Sequence, residues 1–372
     1  MLVRKKLHSR PHPVRLGIIG GGQLARMLAL ESHDLGLEVH ILCENKSEPA
    51  AQVCANIHIG LTNNSESLVK FSKEVDFITF ENEFYDVTSL KNAQCEIFPS
   101  PDALTLLQNR STQKNILTLN GIPTAPFIDI RTRKDLETAF EKFKGQFVLK
   151  KCIGGYDGNG TFYCRSSDDL QKLSNQISGH YIAEAFVPFR RELALSIVRN
   201  KDGKIVFLPL VQSEQVQSRC DWVIGPIQHK KIKSLQKKLT KILNALDYVG
   251  VIAFELFDTG TNLLVNEIAP RVHNSAHYSQ QGLTESQFLL HLKAGLGLDI
   301  VEPKLIDKNF CMVNLIGSSN QTPTLGDTCG KLHWYGKLNN RAGRKMGHIN
   351  FTGRSAKQLV QLALNERKKF QL

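Results

Sequence analysis

The stretch GIIGGGQLARML, residues 17–28, constrains this chain more than any other. A short apolar run, Arg15 to Ile19, enters three glycines and leaves them as an amphipathic segment from Gln23. A strand that passes through a glycine turn into a helix returns to its sheet as a parallel neighbour, by a right-handed crossover. Val39 to Cys43 and Phe77 to Phe80 supply the neighbours, so the first third reads βαβαβ, a parallel sheet covered by helices. Gly20-x-Gly22-x-x-Ala25, with Glu44 closing the next strand, has the spacing of a dinucleotide fingerprint. Taken alone it describes a nicotinamide enzyme, but the same turn suits any phosphate or ribose brought to a helix N-terminus. No hydride pocket or catalytic acid accompanies it. Glu81-Asn82-Glu83 ends the third strand, at the edge where parallel sheets take ligands. Glu81 is expected to meet a ligand hydroxyl, and Glu83 to be a solvated loop acid.

Pro99-Ser100-Pro101 breaks this pattern, and a helix is expected from Asp102 carrying Arg110 and Lys114. Gly121-Ile122-Pro123 ends the next helix, and Pro123 and Pro126 mark a linker. Phe147 to Lys151 then reads as a strand, followed by Gly154-Gly155-Tyr156-Asp157-Gly158-Asn159-Gly160-Thr161 and a strand from Phe162 to Arg165. Glycines at this density between two strands make a flexible hairpin whose N–H groups can close over phosphates. It is not a Walker loop, because no Gly-Lys-Ser/Thr follows. An ordinary long hairpin leaves Lys150 unexplained; on the strand entering the loop, it can reach a phosphate. Tyr181 to Phe189 is a strand leading out of this lid. Its edge at Glu184, Ala185, Phe186 and Val187 can hydrogen-bond an adenine, and Glu192 can take ribose hydroxyls.

Glu192 to Arg199, Ile205 to Val211, Val251 to Phe257 and Thr261 to Ile268 read as an antiparallel sheet, interrupted by a helix from Lys230 to Leu246. Glu255 and Glu267 lie at the ends of neighbouring strands. Two such carboxylates can share a hard cation, and magnesium divides its oxygen ligands between protein and substrate phosphates. Solvation of the pair is the other reading, and the pair alone leaves both open. Asn266 adds a neutral oxygen, Arg271 a fork-shaped donor for phosphate or carboxylate, and His273, Asn274 and Ser275 further polar groups. Near the end, Lys337, Arg344 and Lys345 converge if the glycine turn between them folds back. They then form an anion site for a phosphate monoester; a basic surface hairpin is the alternative.

The 372 residues suffice for two or three domains with a sizeable core. We divide them into a basic tail at 1–14, a parallel-sheet domain at 15–117, a lid at 118–188 and an antiparallel-sheet domain at 189–372. No apolar run reaches the roughly 20 residues of a membrane span, and the basic start has no apolar core to serve as a signal peptide. The eight cysteines form no CxxC pair, which argues for a reducing cytoplasm and against zinc or disulfides. A net charge of +12 raises the question of nucleic acid. The basic residues fall instead in separate clusters without an aromatic signature. The one at Lys230 to Lys241 has the spacing of a solvated helix face, so no nucleic-acid partner is expected.

These motifs together resemble the ATP-grasp superfamily. Within it the chain, from about Arg15 to about Leu364, is similar to the N5-carboxyaminoimidazole ribonucleotide synthetases. The resemblance rests on GIIGGGQLARML (17–28), GGYDGNGT (154–161), NEIAPRVHNSAH (266–277), SQFLLHLKA (286–294) and YGK…RAGRKMGH (335–348). It implies ATP between the lid and the third domain. Arg110 and Lys150 would hold its phosphates under Gly155 to Thr161. Glu184 to Val187 would hold adenine, and Glu192 the ribose. Gln215 stands near the nucleotide, and Glu255 and Glu267 would bind Mg2+ (or Mn2+) with Asn266 beside them. ATP would phosphorylate bicarbonate to carboxyphosphate, and the amine of 5-aminoimidazole ribonucleotide would capture the carbon dioxide it releases. Arg271, His273, Tyr156 and Asp157 would close on that intermediate. Gln23, Leu24 and Glu81 would hold the ribonucleotide, with Lys337, Arg344 and Lys345 around its phosphate. A homodimer is implied as well.

The chain departs from the family pattern at Ala25, at Asn159, where a basic residue is usual, and at Gln212 to Gln215, where Glu-Asn-x-His is usual. Gln215 can donate a hydrogen bond but cannot become cationic. Another ATP-grasp ligase, or a nucleotide-binding paralogue of weak activity, are the competing readings. The terminal basic motif opposes the first; intact Glu255, Glu267, Arg271 and Lys337 oppose the second.

Overall fold

The computed structural model describes residues 13–155 and 158–372, arranged around three sheets. The first is parallel, in the order β3-β2-β1-β4-β5: β1 (Arg15–Ile19), β2 (Glu38–Cys43), β3 (Asn56–Ile59), β4 (Phe77–Phe80) and β5 (Glu96–Ile97). β1 is central because it is apolar on both faces, and Leu16, Ile18 and Ile19 are fully buried. The helix Gln23–Asp34 follows its glycine turn as expected. β3 and β5 were not anticipated. β5 is two residues long, and β3 is a half-exposed edge strand with no apolar run.

The helix expected from Asp102 ends before Arg110 and Lys114, which the next helix carries. Ser100 caps Pro101–Leu107, the chain breaks at Gln108, and Asn109 caps Arg110–Leu119 by accepting the N–H groups of Ser111 and Thr112. An Asn at the N-cap satisfies donors that a continuous helix would have bonded internally. The break puts Arg110 in the first turn, where its own N–H bonds Cys152 O at 2.9 Å. Lys114 lies one turn on, along the same face.

The lid is an antiparallel sheet in the order β6-β9-β7-β8: β6 (Phe127–Ile130), β7 (Phe147–Lys151), β8 (Thr161–Cys164) and β9 (Tyr181–Ala185). Helices Arg133–Lys142 and Ser167–Gln176 give it a core of its own around Leu136, Phe147, Leu149 and Leu173.

The third sheet has nine strands. β10 (Arg191–Arg199), β11 (Ile205–Phe207), β12 (Val211–Val216), β13 (Arg219–Gly225), β14 (Gly250–Asp258) and β15 (Leu263–Ala269) are joined by β16 (Asn309–Ile316), β17 (Lys331–Trp334) and β18 (Lys345–Gly353). Ile205 to Val211 is thus not one strand. The chain turns after β11, and β12 and β13 form a hairpin whose corner, Gln217-Ser218, has φ of +51° and +62°. Such a turn normally carries Asn-Gly or Asp-Gly, so its sequence gave no turn signal. The helix Ile232–Ala245 buries Leu235, Leu239, Ile242 and Leu243 and turns Lys233, Lys237 and Lys241 to solvent, which accounts for the middle basic cluster. Among the described residues no helix is long and apolar enough to cross a membrane.

Candidate active site

β14 and β15 set the site. Glu255 pairs directly with Glu267, but the next pairing is Leu256 with Val265, so Asn266 is an extra residue on β15. Neighbouring residues on a regular strand face opposite sides of a sheet. The bulge removes that alternation, and both Asn266 and Glu267 line one cavity of about 710 Å³. Glu192 joins them: β10 pairs Ala194 with Glu255, and Glu192 lies two positions along on the same face. Burial, then the charges of Glu267 and Glu192, raises the Glu255 carboxyl above the ordinary range. Burial likewise raises Glu192, to about 7, against the pull of Lys150. Three half-buried carboxylates gathered in one cavity favour a cation among them.

Cations frame this acidic floor. Arg110 donates from Nη2 to Glu267 Oε1 at 2.7 Å and to Gly155 O at 3.2 Å, and from Nη1 to Lys151 O at 3.1 Å. It therefore ties the lid to β15. Glu184, 3% exposed, is clamped between Lys114 Nζ at 2.7 Å and Lys150 Nζ at 2.6 Å. Burial alone would raise its carboxyl, but the two ammonium groups bring it down to about 2. Lys150 also donates to Asn266 Oδ1 at 2.9 Å. The side chain of Glu184 is thus committed to two lysines, and the strand edge expected at Glu184 and Ala185 is not one: β9 runs between β6 and β7, with Glu184 opposite Phe127 and Val148, and Ala185 N–H bonds Pro126 O at 2.9 Å. Flat apolar walls stand beside it: Phe189 stacks on Phe257 at 4.5 Å, and Phe186 on Tyr163 at 6.2 Å.

The parallel sheet closes the other end. Gly22 N–H and Ala25 N–H donate to Glu81 at 2.8 and 3.3 Å. A Cβ on Gly20 or Gly22 would fall 2.5 Å from that carboxylate. The helix N-terminus is therefore capped by the chain's own acid. Glu44 is exposed, and its N–H bonds Glu48. With Gly22 and Ala25 N–H taken by Glu81, Gly20 N–H by Leu42 O, and Glu44 turned outward, the turn does not present the dinucleotide fingerprint's donors and acid. Glu83 corrects a second expectation. It is not solvated but 6% exposed, and it forms a buried ion pair with Arg271. Among the described residues its ion-pair partner lies 188 positions on.

His273 accepts or donates at Nδ1 to Ser275 Oγ, 2.9 Å away, and holds Nε2 at 3.7 Å from Glu255. Burial, then Arg271 and Lys345, keeps its ring neutral. The terminal glycine turn does fold back: Lys337 Nζ donates to Lys345 O at 2.7 Å and Arg344 to Asn339 O at 2.7 Å. Lys345 is the member of this cluster among the cavity-lining residues, while Lys337 acts electrostatically on Glu81. Gln23, Leu24, Gln215, Gly155, Gly158, Thr161 and Ala185 to Val187 also line the cavity. Asn159 is exposed, and Gly160 turns the loop at φ +77°. Tyr156 and Asp157 lie outside the described residues. Lys114, Glu83 and His277 belong to the site but escaped the sequence reading of it. Only Lys114 left a signal, its four-residue spacing from Arg110.

A parallel-sheet domain, a glycine-loop lid and an acidic antiparallel sheet around one cavity define an ATP-grasp ligase. The family model of the ATP-grasp domain matches residues 115–288, the ribonucleotide synthetase preATP-grasp domain 14–108, and the phosphoribosylaminoimidazole carboxylase C-terminal domain 311–362. The N5-carboxyaminoimidazole ribonucleotide synthase of Synechococcus elongatus is 36% identical, over 94% of this chain and 92% of its own length. Among solved structures, the Staphylococcus aureus N5-carboxyaminoimidazole synthetase complexed with ADP matches with a TM-score of 0.88 at 29% identity, covering 95% of this chain and 97% of its own. The Aspergillus clavatus enzyme in complex with ADP and 5-aminoimidazole ribonucleotide matches with a TM-score of 0.84 at 28% identity, over 96% and 99%. The chain belongs to the N5-carboxyaminoimidazole ribonucleotide synthase family.

Proposed function

We propose that this chain carboxylates 5-aminoimidazole ribonucleotide with bicarbonate and ATP, giving N5-carboxyaminoimidazole ribonucleotide, ADP and phosphate, as a step of purine biosynthesis. The observation that carries this reading is the facing pair Glu255 and Glu267 in a cavity that runs from the lid to the end of the parallel sheet. The donors there are two carboxylates and the amide oxygen of Asn266, all hard oxygens, which fits Mg2+ or Mn2+. When bound, the ion supplies charge neutralisation at the phosphoryl oxygens. Adenine fits between the aromatic walls at Phe186 and Phe257, with Glu192 on the ribose. Lys150 and Arg110 then exchange Asn266 and Glu267 for phosphate oxygens.

Bicarbonate oxygen attacks the terminal phosphoryl group, the bond to ADP breaks, and carboxyphosphate forms. It divides into carbon dioxide and phosphate. The exocyclic nitrogen of the ribonucleotide adds to the carbon and loses a proton. Nothing in this sequence needs a covalent nucleophile; it needs position and charge compensation. Arg271, held by Glu83, and neutral His273 stand over the reacting group. Gln23, Leu24 and Glu81 meet the ribonucleotide, and Lys337, Arg344 and Lys345 its phosphate. A homodimer in a reducing cytoplasm is part of the proposal, in keeping with eight free thiols.

Phosphate release from ATP, with bicarbonate and aminoimidazole ribonucleotide omitted in turn, tests it. Release that needs both, with product formed in equal amount, is expected. Release stimulated by a different acceptor would point to another ligase, and ATP binding without turnover to a disabled paralogue.

A further inference from the structure

His277 follows the Arg271–Ser275 motif and is fully buried, yet it lines the cavity beside Arg271, His273, Asn274 and Lys345. Its hydrogen-bonding state is set by Gln287. That amide's Oε1 accepts the backbone N–H of His273 at 2.8 Å, which fixes which end is oxygen. Its Nε2 donates to His273 O at 2.8 Å and lies 2.9 Å from His277 Nδ1. The Gln287 N–H is itself anchored on Ser279 Oγ at 2.9 Å. An amide nitrogen is a donor only, so His277 Nδ1 must accept, and the neutral ring carries its hydrogen on Nε2. Nε2 is buried and has no hydrogen-bond partner among the described residues.

The surroundings hold the ring still and uncharged. Phe288 and His348 pack against it at 5.5 and 4.9 Å between ring centres, and Asn350 donates to its carbonyl at 2.9 Å. Burial, then His273, Lys345, His333 and Arg271, disfavours the imidazolium. A donor buried without an acceptor is costly and persists where a ligand completes it. In the carboxylation reading above, ATP phosphates go to Arg110 and Lys150 and the ribonucleotide to Gln23, Leu24 and Glu81; His277 lines the same cavity, with the cations Arg271 and Lys345.

We propose that His277 is a fixed neutral N–H donor whose Nε2 binds an anionic oxygen of the one-carbon group passing from bicarbonate to the amine. The assignment rests on the carboxylation reading above. It also excludes His277 as the base for the amine proton, since Nε2 already carries hydrogen and Nδ1 faces Gln287.

The test compares His277→Phe, which keeps a ring and removes the donor, with His277→Gln, which keeps a donor. The Phe variant is expected to lower kcat/KM for bicarbonate about tenfold or more, the worth of one bond to a charged group. KM for ATP should stay at the wild-type value, and the Gln variant should recover most of the loss. The ratio of wild type to His277→Phe should be flat from pH 6 to 9, because a neutral donor does not titrate. Histidine 15N shifts in the ligand-free wild type should show hydrogen on Nε2 and a bare Nδ1. Gln287→Glu supplies a second variant: a carboxylate accepts from Nδ1–H, moves the hydrogen there, and should reproduce the loss. The opposite tautomer, a Gln variant as impaired as Phe, a ratio that grows with pH, or a loss confined to KM for the ribonucleotide each overturns the proposal. Wild-type turnover that ignores bicarbonate overturns the carboxylation reading instead, and the 15N result still decides the donor.

Discussion

Arg271, just past the end of β15, is held by Glu83, just past the end of β4, so that one buried ion pair spans the parallel-sheet domain and the acidic sheet. The distance between Arg271 Nη2 and Glu83 Oε1 is 3.4 Å. The guanidinium cannot turn toward a ligand independently of the first domain.

Breaking this pair should harm both stability and turnover. Removing one partner of a buried ion pair leaves the other charge uncompensated, at about 3 kcal/mol or more. Glu83→Met should therefore lower unfolding free energy by that order. The double variant with Arg271→Met should be less destabilised than the sum of the two singles. Additive losses in denaturant melts would refute coupling.

Lys114 should matter to ATP though it touches the nucleotide through nothing but Glu184 and Lys150. Lys114→Met leaves Glu184 one ammonium, which then holds Lys150 more tightly. KM for ATP should rise about tenfold, the scale of one charged hydrogen bond. The same variant has a stability signature. Glu184 has a depressed carboxyl, so its contribution is present above about pH 4.5 and is lost as pH falls toward 2. With Lys114 gone the depression is weaker, and the acid-side loss over that window should be smaller than in wild type. Parallel acid melts of the two proteins would reveal it.

Glu267→Gln should fold and bind ATP weakly, with ATP turnover abolished. The lost carboxylate takes several kcal/mol of charge stabilisation with it, and Arg110 loses its 2.7 Å partner. Near-normal phosphate release at saturating Mg2+ would remove Glu267 from the metal pair.

Glu192 makes the pH dependence of the ligand-free enzyme readable. Its carboxyl is raised to about 7, so the folded state favours the protonated form. Stability from this group is complete below about pH 4.5 and declines as pH rises through 7. Glu192→Gln mimics the protonated acid. The variant should match wild type at pH 5 and melt at a higher temperature at pH 8. A gap that is constant across that range would show that the group is not shifted.

Much of this was legible because it is periodic or local. Three of the five parallel strands, the lid hairpin and the neighbouring strands that carry Glu255 and Glu267 follow from apolar runs and glycine spacing, although Glu255 lies inside β14 and not at its end. What escaped depends on partners remote in sequence. Glu83 reads as a loop acid until Arg271 is folded against it. The first glycine turn reads as a phosphate cradle until Glu81 fills it. The β12–β13 hairpin turns on Gln217 and Ser218, residues that tertiary pairing forces into left-handed backbone. His277 shows its role only through the orientation of the Gln287 amide.

The extra residue on β15 has a consequence at the level of the gene. Loss of the single codon for Asn266 keeps the reading frame and every charged residue, and restores a regular ladder between β14 and β15. In that ladder Glu255 still faces Glu267 and Leu256 still faces Val265, so the acids stay on the cavity side and Val265 stays in the core. What is lost is the second polar group on that side, and with it the oxygen that Lys150 Nζ meets at 2.9 Å. Substitutions at this position test a side chain. A three-nucleotide deletion tests the count of residues, and the count is what allows two neighbouring polar groups to share one side of the sheet.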